Sequence, residues 1–466
     1  MFAHIKKYVF FADLFEEGLV LYGHSRGYVH RGFMRGNMHL FFSLFLLLLT
    51  VTPGLATVYT PMLDSDLYLD AEVVVRGTVQ SRQMAETGEA ETWYRLAVEE
   101  IFKGECATEL EVAVPGGRNH AGMVLHIAGA PQFDNGAQVL LFLRLREDGR
   151  YQLTQLFLGA FYLEETAAGH IVRRDLQGTV ELPGKDVLGK KEREEGQGRA
   201  VRRAQEFFQW LRQGGAPDTE NYWIALPAAS TARDKTGQAK YALFNARWKM
   251  FDNGQTATWY AHQVGQQGLA GGGYSEFQEA LACWTNDPGS DIHYQYSGTT
   301  SLDTGLGASD GWNTILFNDP NDLIGGAYNC SSGGILALGG WRSQGVHTFA
   351  GKEVNTIVEG DVVVQDGASC YLQGNNGNNG AEVFAHELGH TLGFDHSSDP
   401  NALMFSSAHG DGRGAALTAD DRDAAAYYYA CETPPPPPPT GPHTTDGRYR
   451  YNPGLLLLLL GSGGMR

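Results

Sequence analysis

Residues 381–396 read AEVFAHELGHTLGFDH, and this stretch constrains the chain more than any other. His386 and His390 stand four apart, so on a helix they project from one face about one turn from each other, as two ligands of one metal require. Phe384, Leu388 and Leu392 also repeat every four residues and fall on the side of the wheel away from the histidines, so one face packs and the other holds metal. Gly393, free to take positive φ, ends the helix, and the turn there brings His396 back as a third ligand. Three protein nitrogens leave the fourth tetrahedral position for water, which is the arrangement of a catalytic rather than a structural zinc site. Glu387, beside the first ligand, reaches that water as a general base and can then hand the proton to a leaving amine. The alternative is a buried helix that merely carries three histidines. The extended HExxHxxGxxH spacing, with its matching apolar face, argues against that.

HELGHTLGFDHSSDPNALMF resembles the active-site segment of the metzincins, and among them the matrixins. Met404, eight residues past His396, matches the Met-turn methionine that forms a floor beneath the metal in that family. Ser397 directly after His396 fits matrixins, where astacins carry Glu and adamalysins Asp. Phe405 follows Met404 and no tyrosine stands two residues after it, so the tyrosine ligand of astacins and serralysins is absent. The resemblance runs from about Tyr241 to Cys431. It implies an α+β catalytic domain, a twisted mixed sheet plus three helices. Ser275 to Trp284, opened by a capping box of Ser275 and Gln278, resembles the first helix. Asn313 to Asn318, Gly334 to Leu338 and Thr356 to Gln365 supply strands. Thr418 to Tyr429, with Thr418 and Asp421 as a capping box, resembles the last helix, and Asp420 and Asp421 match acidic residues that brace the active site.

The same resemblance implies one catalytic zinc, and it allows calcium, for which Asn318, Asp319, Asn321 and Asp322 offer oxygens; ordinary turn chemistry also explains those four. His347 is the only histidine between His293 and His386, so the second, structural zinc of animal matrixins is expected to be missing. The prodomain signature PRCGxPD is absent as well. Cys106 could latch the metal as a thiolate, but an unpaired thiol with no such role is the expectation. An extended substrate is expected to pair with an exposed strand edge within Gly334 to Leu338.

A chain of 466 residues is too long for one ordinary core. Residues 1–33 have no recognisable role. Residues 34–56 have the layout of a signal peptide, with Arg31 and Arg35 ahead of an apolar run from Leu40 to Val51 and cleavage expected after Ala56. That places the mature protein outside the cytoplasm, extracellular or periplasmic, with no stable membrane span. Residues 57–185 carry short β-rich runs, Ala71 to Val79, Leu110 to Val114, Val139 to Leu145 and Tyr151 to Leu156, and suggest a small all-β domain, a barrel or sandwich. AEVVVRGTV, then an alternating strand, then Ile101-Phe102-Lys103-Gly104, resembles netrin-like modules built on an oligonucleotide-binding-type barrel.

Residues 186–240 read as a helix and linker, the helix carrying Val201, Ala204, Phe207, Phe208 and Leu211 at helical spacing. Residues 241–432 are the metal-binding domain, and residues 433–466 a Pro-rich linker and tail. Four of the five cysteines lie in the C-terminal half, which in an exported protein suggests two disulfides. Three pairings are open, with Cys330–Cys370 and Cys283–Cys431 the expected one. A net charge of −18 repels phosphate backbones and so counts against a nucleic-acid partner. The chain therefore reads as a secreted zinc endopeptidase acting on extended polypeptide. The alternative is a secreted binding or inhibitory protein whose β-rich domain is the functional module. Its oligomeric state is open.

Overall fold

Alternation of β-branched residues is what builds the first half of the chain. The structure, a computed structural model, describes residues 10–15, 18–25, 28–32, 58–84, 91–119, 121–167, 169–174, 199–216, 221–226 and 240–430. Strands Val73–Met84, Glu91–Lys103, Glu109–Pro115, Tyr151–Leu153 and Gln138–Leu145 pair in that order, and the last pairs back to the first, closing a five-stranded barrel. Of the barrel or sandwich expected here, the barrel is present. Successive side chains of a strand point to opposite faces. In Gln138–Leu145 this sends Val139, Leu141 and Leu143 into the barrel, while Leu140 and Phe142 fill a second core outside it. The sheet continues from that strand through Ala160–Thr166, Gly169–Arg173, Arg199–Arg203 and Trp223–Leu226.

Two short helices, Asp64–Asp70 and Ala204–Arg212, contribute to the outer core. The second differs from expectation at its start. Val201 lies in a strand, opposite Ile224, and the helix begins only at Ala204. The cause is the neighbouring Arg202, drawn inward to Asp64 at 2.6 and 2.7 Å. Asp64 also accepts from Arg174 (3.2 Å) and the Tyr222 hydroxyl (2.9 Å). Burial by itself would raise this carboxyl, but the two guanidiniums outweigh it and hold Asp64 below the usual carboxylate range.

The second half is a twisted mixed sheet carrying three main helices. Its strands run in the order Tyr294–Thr300, Ala257–His262, Asn313–Leu316, Lys352–Val364 and Ala337–Phe349. The first four are parallel and the last is antiparallel to its neighbour. That last strand would be the open edge, but Val124–Ile127 from the β-rich region pairs along Gly340 to Ser343. The described residues of the barrel and of this sheet belong to one compact unit. Residues 10–15, 18–25 and 28–32 form a three-stranded antiparallel sheet of their own in a separate unit.

Helix Tyr274–Thr285 begins earlier than the expected capping box. Gly273 precedes it at φ 76, Ser275 donates to Glu276 instead of capping, and Gln278 bonds the Tyr274 carbonyl. The Thr418–Asp421 box does form on helix Ala419–Tyr428. Cys330 is bonded to Cys370, whereas Cys106 and Cys283 are free thiols and Cys431 lies outside the described residues. The signal-like segment 34–56 and the tail 433–466 also lie outside them, and no described helix is long and apolar enough to cross a membrane.

Candidate active site

Helix Asn378–Thr391 is buried on every side from Asn379 to Thr391, so its polar residues must be satisfied within the protein. Phe384, Leu388 and Leu392 are fully buried in the main core with Trp284 and Phe394. At Gly389 a Cβ would come within 2.3 Å of the Met404 sulfur, so Met404 lies directly against the helix between the two histidines in sequence. Gly393 takes φ 88, and a Cβ there would sit 2.0 Å from the Ala246 carbonyl oxygen; no other residue fits this turn. After it, Phe394–Asp395 pairs with Ala242–Leu243, which returns His396 to the helix.

The three imidazoles converge. His386 Nε2 lies 2.9 Å from His390 Nε2 and 3.1 Å from His396 Nε2. His386 Nδ1 is 2.7 Å from the Leu403 carbonyl oxygen and His390 Nδ1 is 2.8 Å from that of Phe394. A carbonyl can only accept, so both Nδ1 atoms carry the proton and both Nε2 atoms present bare lone pairs. Two lone pairs facing each other at 2.9 Å repel unless a cation lies between them. Ligands on a tetrahedral zinc with bonds of about 2.0–2.1 Å stand about 3.3 Å apart, close to the spacing seen. The residues therefore fit zinc. Burial, and for His386 the neighbouring His390, lower both pKa values, His390 to about 3, so both are neutral at pH 7 as ligands must be. Among the described residues this is the one cluster of three or more potential ligand side chains that converges.

The loop under the site is braced from the last helix. Asp421 accepts the Leu403 and Met404 N–H groups at 2.9 and 3.0 Å while also capping its own helix through Thr418. Asp420 accepts Ser397 Oγ at 2.6 Å and the Lys240 and Tyr241 N–H groups. The chain from Asp421 to Leu403 to His386 Nδ1 thus links the last helix to the first histidine.

Glu387 is completely buried. Burial pushes its carboxyl well above the ordinary range, offset in part by N–H groups of Val58 and Gly339. The Val58 N–H donates to Glu387 Oε1 at 3.1 Å. Nothing in the sequence motif marks Val58; its position just past the expected signal cleavage was the available signal.

Other candidates lie elsewhere. Cys106 packs against the barrel core, where burial raises its thiol, so it is poorly suited to be a thiolate latch. His347 bonds Thr356 Oγ1 and neighbours Arg247, and burial followed by that charge lowers it to about 4. Around the proposed calcium oxygens, Asp319 accepts from Ile324 N–H, Asp322 from Gln152, and Asn321 points its amide nitrogen at the Thr304 carbonyl. Only the Asp319 bond is local; the partners of Asp322 and Asn321 lie 170 and 17 positions away in sequence.

The family model for matrixins matches residues 255–430. Among solved structures, metalloproteinase-II from Bacteroides fragilis is similar at 10% identity, covering 74% of this chain and 92% of that one, with a TM-score of 0.22, too low to argue from. A search of curated proteins finds no match.

Proposed function

With residues 255–430 a matrixin-like metzincin metalloprotease region, we propose that this chain is a secreted zinc-dependent endopeptidase that hydrolyses peptide bonds in extended polypeptide. The observation that carries the reading is the convergence of three imidazole Nε2 atoms beside a buried glutamate. His386, His390 and His396 would hold zinc through Nε2, and zinc when bound supplies Lewis acidity toward the scissile carbonyl and the attacking water. Glu387 takes a proton from that water and delivers it to the leaving nitrogen. Met404 and the Asp421-braced loop hold His386 in position, and Gly393 places His396. The barrel as sole functional module is the less favoured reading, because the three-histidine cluster and the adjacent buried Glu387 lie outside it.

A casein digest by the full chain, with and without a zinc chelator, tests this against Glu387→Ala. Chelation should abolish cleavage. Glu387→Ala should keep its zinc yet lose on the order of 10²–10⁴ in turnover. A variant retaining a tenth of wild-type activity refutes the role given to Glu387.

A further inference from the structure

The hydrolytic reading leaves the bonds around Val58 to Thr60 unused. Val58 O accepts the Leu336 N–H at 3.1 Å, Tyr59 N–H donates to Ser406 O at 3.2 Å, and Tyr59 O accepts the Ala408 N–H at 3.0 Å. Tyr59 and Thr60 lie antiparallel to Ile335 and Gly334, and Tyr59 lies parallel to Ser407. The segment is therefore hydrogen-bonded along both edges, filling a slot between residues 334–336 and 406–408. Residues 334–336 of the Gly334 to Leu338 edge expected to receive substrate are covered by this chain itself. Gly333 lets the segment lie flat, since a Cβ there would sit 2.2 Å from the Pro61 carbonyl oxygen.

Direction and anchoring give this occupancy its meaning. The nitrogen of Val58 stands 3.1 Å from Glu387 Oε1, and the chain leads away from the carboxylate toward its C-terminal side. Glu387 is the group that hands a proton to a leaving nitrogen, so Val58 N stands where that nitrogen would be. Residues 59–61 follow the path of the departing half of a substrate. Val58 is 1% exposed and shares the apolar cluster of Leu336, Leu403 and Met404. The far end cannot diffuse away, because Asp64 is held by Arg202, Arg174 and Tyr222.

We infer that Val58–Pro61 is a tethered ligand of the leaving-group half of the cleft, laid down in substrate direction, which must swing out before another polypeptide can bind there. The inference rests on the peptidase reading for the identity of the cleft. A short tether supplies an effective concentration of about 1 mM, so a segment with an intrinsic affinity of about 0.1 mM keeps the cleft roughly ten to one occupied.

The test compares zinc-loaded wild type, Val58→Asp and a chain lacking residues 57–61. Two readouts are taken: turnover of a short peptide, and anisotropy of a C-terminally labelled Val-Tyr-Thr-Pro-Met peptide. Both variants should gain about tenfold in kcat/KM and bind the labelled peptide about tenfold more tightly than wild type does. Equal binding and equal turnover in all three overturn the inference while leaving the peptidase standing. A binding contrast without turnover in any of them upholds the tether and removes the peptidase. If Val58→Asp alone unfolds by circular dichroism, the deletion decides. Loss of the folded state in both overturns the inference, since a ligand that leaves during turnover cannot be part of the core.

Discussion

Replacing Asp421 by alanine should damage stability and the metal site together. Its carboxylate is 1% exposed and accepts four hydrogen bonds: Leu403 N–H at 2.9 Å, Met404 N–H at 3.0 Å, Thr418 N–H at 2.8 Å and Thr418 Oγ1 at 2.7 Å. Each buried donor left without a partner costs about 1–3 kcal/mol. Loss of the capping box adds about 1 kcal/mol. These terms share one site and do not add fully, so a loss of about 4 kcal/mol is expected. Thr418→Ala is the control, removing the hydroxyl but leaving the bonds to Leu403 and Met404, and should cost only about 1 kcal/mol. Equilibrium urea unfolding followed by tryptophan fluorescence measures both. The Leu403 carbonyl orients His386, so Asp421→Ala should also weaken zinc roughly 10–100-fold in a chelator competition. A loss under about 1 kcal/mol, or unchanged zinc affinity, would refute the linkage from the last helix to the first histidine.

Gly393→Ala should destabilise by about 2 kcal/mol or more, from positive φ together with the clash on Ala246. Gly254→Ala, at φ 64 with nothing near its Cβ, should cost about 1 kcal/mol; equal losses in the two urea titrations would show that the clash is relieved. Asp64 has a folded pKa below its unfolded value of about 3.9, so its ion pairs stabilise the protein above about pH 4 and that contribution fades as pH falls toward the folded value. Asp64→Asn should therefore lose stability at pH 6 and show a shallower decline from pH 5 to 3 than wild type. Parallel declines would refute the assignment.

Sequence alone determined what is local. The helix with its four-residue repeat of His386 and His390, the glycine that must turn at 393 and the Thr418–Asp421 cap all depend on conformation within a turn or two, which spacing encodes directly, whereas Met404 was marked only by the resemblance to the Met-turn. The β-strands of the barrel were legible for the same reason, since alternation is a local signal. Boundaries set by long-range contacts were not. Val201 belongs to a strand because Ile224 pairs with it and because Asp64, more than a hundred residues earlier, draws Arg202 inward. The Ser275 box gave way to a helix beginning at Tyr274 after Gly273 at φ 76, and Ser275 bonds Glu276 instead. Only the tertiary structure could place Val58 at Glu387, 329 positions apart. Strand edges bond through backbone groups that every residue shares, so sequence shows that an edge exists at Gly334 to Leu338 but carries no mark of which segment will cover it.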